Sequence, residues 1–192
     1  MGSEGDSEIN LFKQRDLFLP DTDDGHGHVI FLETEELMSQ EEIVKRVREA
    51  IKDRATWFAL LYRSFSKVLP PKEVERAARE AIYQFGQLKG KKDGKKITPE
   101  EWVEKHMSKG SGEVFESKIL KEKEFSEQRM TFCPLVEAWK ELGCSDAEID
   151  LFCDVAMEGD RGRADYHGIP YEIQERLGKG DSFCRLLLKK CN

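Results

Sequence analysis

The sequence predicts an α+β domain in which a helix-rich N-terminal half packs on a small antiparallel sheet formed mainly by the C-terminal half. Three observations predict it. Apolar residues recur at helical spacing from about residue 40 to residue 110, and strand-like alternation begins only after Glu113. A chain of 192 residues with 39% hydrophobic content can also bury one sizeable core, but two would be cramped. The expected organisation is a flexible arm over residues 1–28 and one α+β domain over 29–192.

Each element has a local reason. The arm is polar and rich in Gly and Asp, and "HVIFLE" (His28 to Glu33) is a candidate strand or docking segment. Ser39 and Glu42 form an S-x-x-E capping pattern, after which Ile43, Val47, Ala50 and Ile51 lie on one helical face. "TWFALLYRSFSKVL" (Thr56 to Leu69) is apolar nearly all round, which suits a helix buried on several sides and ended by Pro70 and Pro71. Val74, Ala77, Ala78, Ala81, Ile82 and Phe85 make the next stripe, with Gly86 placed where a helix would stop. "KGKKDGKK" (Lys89 to Lys96) reads as a solvated connection. Thr98, Pro99 and Glu101 then open a short helix, with Gly110 beyond its end.

The second half alternates instead. "EVFESKI" and "EFSEQRMTF" carry strand patterning, and Pro134 opens a helix with Leu135, Ala138, Trp139 and Leu142 on one side and Gly143 at its end. Ser145 and Glu148 start another, whose apolar face holds Ile149, Phe152, Cys153 and Ala156. "EGDRGRADYHGIP" (Glu158 to Pro170) has no apolar period and reads as a loop. "PYEIQERL" and "SFCRLLLKK" flank "GKGD" as a C-terminal β-hairpin, with Cys184 on the strand face shared by Leu186 and Leu188.

Charge narrows the function. With 38 acidic and 31 basic residues the net charge is −7, which repels phosphate backbones and anionic membranes, so neither nucleic acid nor membrane is an expected partner. No run of eighteen apolar residues and no basic segment leading into an apolar one occurs, so the expected location is the cytoplasm. In that reducing compartment the five cysteines are free thiols. Their successive separations up to Cys184 are 11, 9 and 31 residues, with no C-x-x-C pair, which excludes a zinc ribbon.

The candidate chemistry lies in two stretches. Cys133 precedes Pro134 at a strand-to-helix junction, where free N–H groups lower a thiol's pKa. Cys153 and Cys184 are the other thiols at well-defined positions, whereas Cys144, after Gly143, and the near-terminal Cys191 read as filler. In the Glu158 to Pro170 stretch, Asp160, Arg161, Arg163, Asp165 and His167 offer a general acid or base and a carboxylate clamp. His26 and His28 stand at strand spacing without further ligands nearby, and His106 reads as a surface residue.

The stretch "FCPLVEAWKELGCSDAEIDLFCDVAMEGDRGRADYHGIPYEIQERLGKGDSFCRLLLKK" resembles the C-terminal half of the L-2-amino-thiazoline-4-carboxylic acid hydrolase family. More distantly it resembles the 4-vinyl reductase-like ligand-binding domains, through Cys133-Pro134, Cys153 and Gly180-Asp181 with Cys184. The resemblance implies helices packed on an antiparallel sheet around a small-molecule pocket, and opening of a 2-aminothiazoline ring by hydrolysis. On that basis Cys133 is the expected nucleophile, Asp165 or His167 transfers protons, and Asp160, Arg161 and Arg163 bind substrate. A metal-bound hydroxide is the second route, with Cys133, Cys153, Cys184 and His167 as zinc ligands. The alternative function is a non-catalytic, sensor-like ligand-binding domain. A homodimer through "TWFALLYRSF" is compatible with either.

Overall fold

The structure, a computed structural model, describes residues 38–190. The arm over 1–28, the strand expected over His28 to Glu33, the His26/His28 pair and Cys191 lie outside the described residues. Helix α1 (Gln40–Phe65) is started by Ser39, whose side chain accepts the Glu42 N–H, and α2 (Pro71–Lys92) begins on the second of the two prolines. Helix α3 (Pro99–His106) carries the full Thr98/Glu101 capping box and runs through a π turn to Gly110, at φ 77°, and the single turn α4 (Gly112–Val114). Strands β1 (Ser117–Lys121) and β2 (Phe125–Met130) follow, then α5 (Pro134–Glu141), α6 (Asp146–Ala156) and α7 (Glu158–His167). Strands β3 (Tyr171–Ile173) and β4 (Cys184–Lys189) complete a four-stranded antiparallel sheet of order β1-β2-β4-β3. The predicted α+β class is the observed one. No helix among the described residues is long and apolar enough to cross a membrane.

Strand register decides what the sheet offers the helices. Met130 pairs with Cys184, Gln128 with Leu186 and Ser126 with Leu188. Directly opposed residues share a face, so these six side chains share one. Leu186 and Leu188 are fully buried there, as the alternation in "CRLLL" requires. Above it Trp139 donates its indole N–H to the Ala55 carbonyl at 2.9 Å, and the rings of Phe58, Trp139 and Phe152 meet edge to face or tilted at 5.5–6.5 Å.

Several sequence expectations change. Gly86 does not end a helix: α2 continues to Lys92, and Gly86 lets it touch α7. A Cβ at Gly86 would stand 2.1 Å from the Gly159 carbonyl oxygen, and one at Gly162 would stand 2.2 Å from the Tyr83 oxygen. The stretch from Glu158 is helix α7 and not a loop. Its buried stripe is Gly159, Gly162, Arg163, Ala164 and His167, so glycines and paired polar groups occupy the positions where an apolar period would show. The lysine-rich stretch is no simple connection either, because Lys89 to Lys92 form the last turn of α2 and the Asp93 side chain is buried. Finally, α1 is buried on one side only. Ala55 and Ala59 are inaccessible, while Trp57 is 67% exposed and Phe65 51%. The C-terminal pair is antiparallel as expected, but its connection is wider than a tight turn, with a 3₁₀ turn at Leu177–Lys179 and Gly180 at φ 99°.

The glycine contact gives a stability prediction. Gly86→Ala forces α2 and α7 apart and lowers unfolding free energy by about 1–3 kcal/mol, the cost of an overpacked core. Chemical denaturation measures it. An unchanged midpoint would mean that the two backbones are not in contact.

Candidate active site

A cavity of about 370 Å³ lies among α1, α2, α6 and the buried sheet face. Its lining runs from exposed to buried. Val47 and Arg54 of α1 and Phe85 and Lys89 of α2 are exposed and form a rim. Met130, Trp139, Cys153, Cys184 and Leu186 are buried and form the floor. Cys133, His106 and Asp160 also line it and are half-buried. The fold thus brings Cys133, Cys153, Cys184 and Asp160 to one hollow from four separate elements.

Each sulfur is set by its backbone. Cys133 is the residue from which α5 starts, and the N–H groups of Leu135 and Val136 approach its sulfur. Cys153 sits under Gly178, where a Cβ would lie 2.8 Å from the sulfur, and the Gly178 N–H favours its ionised form. Cys184 accepts the Leu177 N–H at 3.3 Å. Burial nevertheless dominates and pushes all three thiols up to about 11. The charge of one also opposes ionisation of another around the set. This corrects the expectation that a helix start would make Cys133 acidic: the N–H groups act in that direction, and desolvation outweighs them.

His106, read from sequence as a surface residue, lines the same cavity. Its Nδ1 lies 2.9 Å from the Gln128 Oε1, and Gln128 is fully buried. The Gln128 amide nitrogen donates to the Ser117 hydroxyl at 3.1 Å. The imidazole tautomer protonated on Nδ1 donates to that oxygen. Burial lowers the pKa of His106, while the nearby Asp160 carboxylate and the Gln128 bond pull it back up. Tyr171 lies on the same sheet face, and its buried hydroxyl has no hydrogen-bond partner among the described residues.

The remaining predicted residues hold helices together. His167 accepts the Ile97 N–H at 3.3 Å and binds Asp93 at 3.0 Å. Arg163 pairs with Asp93 at 2.9 Å and lies 4.2 Å over the Trp102 ring. Arg161 pairs with Asp154 and Glu158, each at 2.8 Å, and Asp165 accepts the Tyr83 hydroxyl. None of these four lines the cavity. The proposed zinc set is not assembled: among the described residues no three His, Cys, Asp or Glu side chains are grouped to hold a metal ion. Cys144 lies elsewhere, where its sulfur accepts from Arg63 at 3.3 Å.

A second hollow, of about 390 Å³, is lined by Thr131, Glu137, Lys140, Lys179 and Asp181 among others, and Cys133 lines both. A family model described as L-2-amino-thiazoline-4-carboxylic acid hydrolase matches residues 48–188, which include every residue of the first cavity except Val47. No curated protein matches the chain.

Proposed function

The chain belongs to the L-2-amino-thiazoline-4-carboxylic acid hydrolase family, and from that membership we propose that the thiol-lined cavity opens a small-molecule ring by hydrolysis. The observation that carries this reading is the convergence of three thiols, an imidazole and a carboxylate on one hollow inside the family match. Such a ring has an electrophilic carbon between sulfur and nitrogen. The Cys133 sulfur adds to it as the thiol proton passes to His106, and Asp160 stabilises the imidazolium so formed. The adduct collapses with cleavage of one ring bond at that carbon, and the proton goes to the departing sulfur or nitrogen. Water then displaces the Cys133 sulfur and restores the thiol, so the net change is uptake of one water.

Two features favour Cys133 over Cys153 and Cys184. It starts a helix, where N–H groups stabilise sulfur charge as it develops, and it borders both hollows, so substrate and water can reach it from different sides. A thiol raised to about 11 stays protonated at neutral pH, so the route requires a base at hand. The proton-transfer role assigned from sequence to His167 or Asp165 passes here to His106. The carboxylate clamp passes from Arg161 and Arg163 to Arg54 and Lys89 at the rim.

The test is incubation with 2-aminothiazoline-4-carboxylate and related rings, with products followed by mass spectrometry. Wild type is expected to turn over at least one, and Cys133→Ala to lose about 100-fold or more, the scale on which a missing reacting group is felt. Full activity in Cys133→Ala removes the covalent step. Binding without turnover assigns the cavity to the ligand-sensing alternative.

A further inference from the structure

We propose that two copies of this chain pair through the exposed face of α1, and that the pairing covers the mouth of the thiol-lined cavity. The face is set by the sequence of the helix. Ile43, Val47, Ala50, Arg54, Trp57 and Leu61 stand alternately four and three residues apart, so they form one stripe along most of α1. All six are exposed, while Ala55 and Ala59 on the other side of the helix are inaccessible. A stripe with that spacing keeps facing a second helix along its length, so what it fits is a helix of similar length with the same pattern.

A second copy brings that helix. Of the six stripe residues only Arg54 is charged, and depletion of charge is what marks the core of a protein–protein interface. Leu60 and Phe65 flank the stripe at about half exposure, and Phe85 and Leu88 on α2 are 44% and 59% exposed. Together they make an apolar patch of several hundred Å², on the scale of the roughly 800 Å² that each partner commits to a stable interface. A parallel pair would set Arg54 against its own counterpart. An antiparallel pair about a two-fold axis puts the two guanidinium groups out of register. Val47 and Arg54 belong both to the stripe and to the cavity rim, which Phe85 and Lys89 complete from α2. A partner helix laid along α1 therefore lies over the mouth and excludes water from that side.

Sedimentation of the full chain tests the pairing. Wild type is expected to be a dimer at high micromolar concentration, and Trp57→Glu and Leu61→Glu each to weaken it at least about 30-fold, the effect of losing one buried anchor. Both side chains are exposed in the single chain, so its own core does not depend on them. Leu120→Gln, at an exposed position on the opposite face of the sheet, is expected to pair like wild type. Covering of the mouth is read at Cys153, which lines the first cavity and not the second hollow. Its rate of modification by iodoacetamide, followed by peptide mapping, is expected to fall severalfold as wild type passes from monomer to dimer with rising concentration, and to stay at the monomer value in Trp57→Glu. A wild type that stays monomeric leaves the stripe to another partner and overturns the proposal. So does a dimer that both glutamate variants leave intact, or a Cys153 rate that is the same in monomer and dimer. Neither measurement uses turnover, so the result stands apart from the hydrolytic reading.

Discussion

Replacing His106 with alanine is expected to lower ring-opening turnover by about 10²–10⁴-fold, the contribution of a positioned proton-transfer group, with little change in KM. The cause is chemical. The cavity thiols are protonated at neutral pH, since burial raises them to about 11, and removing the imidazole removes the acceptor for the Cys133 proton. The pH profile separates this role from a structural one. Burial depresses the pKa of His106, so its neutral, proton-accepting form persists below the usual imidazole range. The acid limb of kcat/KM in wild type therefore lies below about pH 6.5, and it disappears in His106→Ala. Gln128→Glu sets a carboxylate against Nδ1, raises the imidazole pKa and moves the limb to higher pH. A limb that ignores both substitutions would deny His106 the role.

Asp93→Asn is expected to cost about 3–5 kcal/mol of stability, the range for breaking a buried ion pair from one side. That corresponds to roughly 6–20 °C in Tm for a chain of this size. The Asp93 side chain is only 4% exposed, and it receives Arg163 at 2.9 Å, His167 at 3.0 Å and Lys105 at 3.2 Å, so it ties the end of α2 to α3 and α7. Burial pushes its carboxyl pKa up, but hydrogen bonds from Arg163, His167 and Lys105 outweigh that and hold it well below the usual carboxylate range. A depressed folded-state pKa means that the stabilisation is complete above the unfolded value, near about 3.9, and fades as pH falls toward the folded one. The gap between wild type and Asp93→Asn in denaturant midpoint should thus be constant from about pH 5 upward and narrow below about pH 4. A constant gap at all pH values would mean that charge is not its source.

Much of the frame was legible because local signals coincide with element ends. Thr98/Glu101 and Ser145/Glu148 do form reciprocal capping boxes, Pro134 does open α5, and Cys184, Leu186 and Leu188 do share a buried strand face. The set of Cys133, Cys153 and Cys184 came from the family resemblance, whose landmarks they match, and not from the element ends. What escaped depends on pairings between distant segments. His106 is drawn to the cavity by Gln128, whose facing direction is set by the β2–β4 register and not by its neighbours in sequence. Lys89 looked like part of a loop because Gly86 looked like a stop, and Gly86 is explained only by the backbone of α7 against it. In α7 itself, Arg163 and His167 looked free to react, and their actual partner, Asp93, lies some seventy residues earlier.

The gathering of three sulfurs around one hollow can be counted directly. With Cys144 and Cys191 replaced by serine, the native protein is treated with excess pyrene maleimide at mildly alkaline pH, and intact mass and peptide maps are recorded. One adduct per chain, distributed over Cys133, Cys153 and Cys184, is the predicted result, because a single bulky label fills 370 Å³ and shuts out the next. Chains labelled at two or three of these positions while still folded would show that the thiols do not share a cavity.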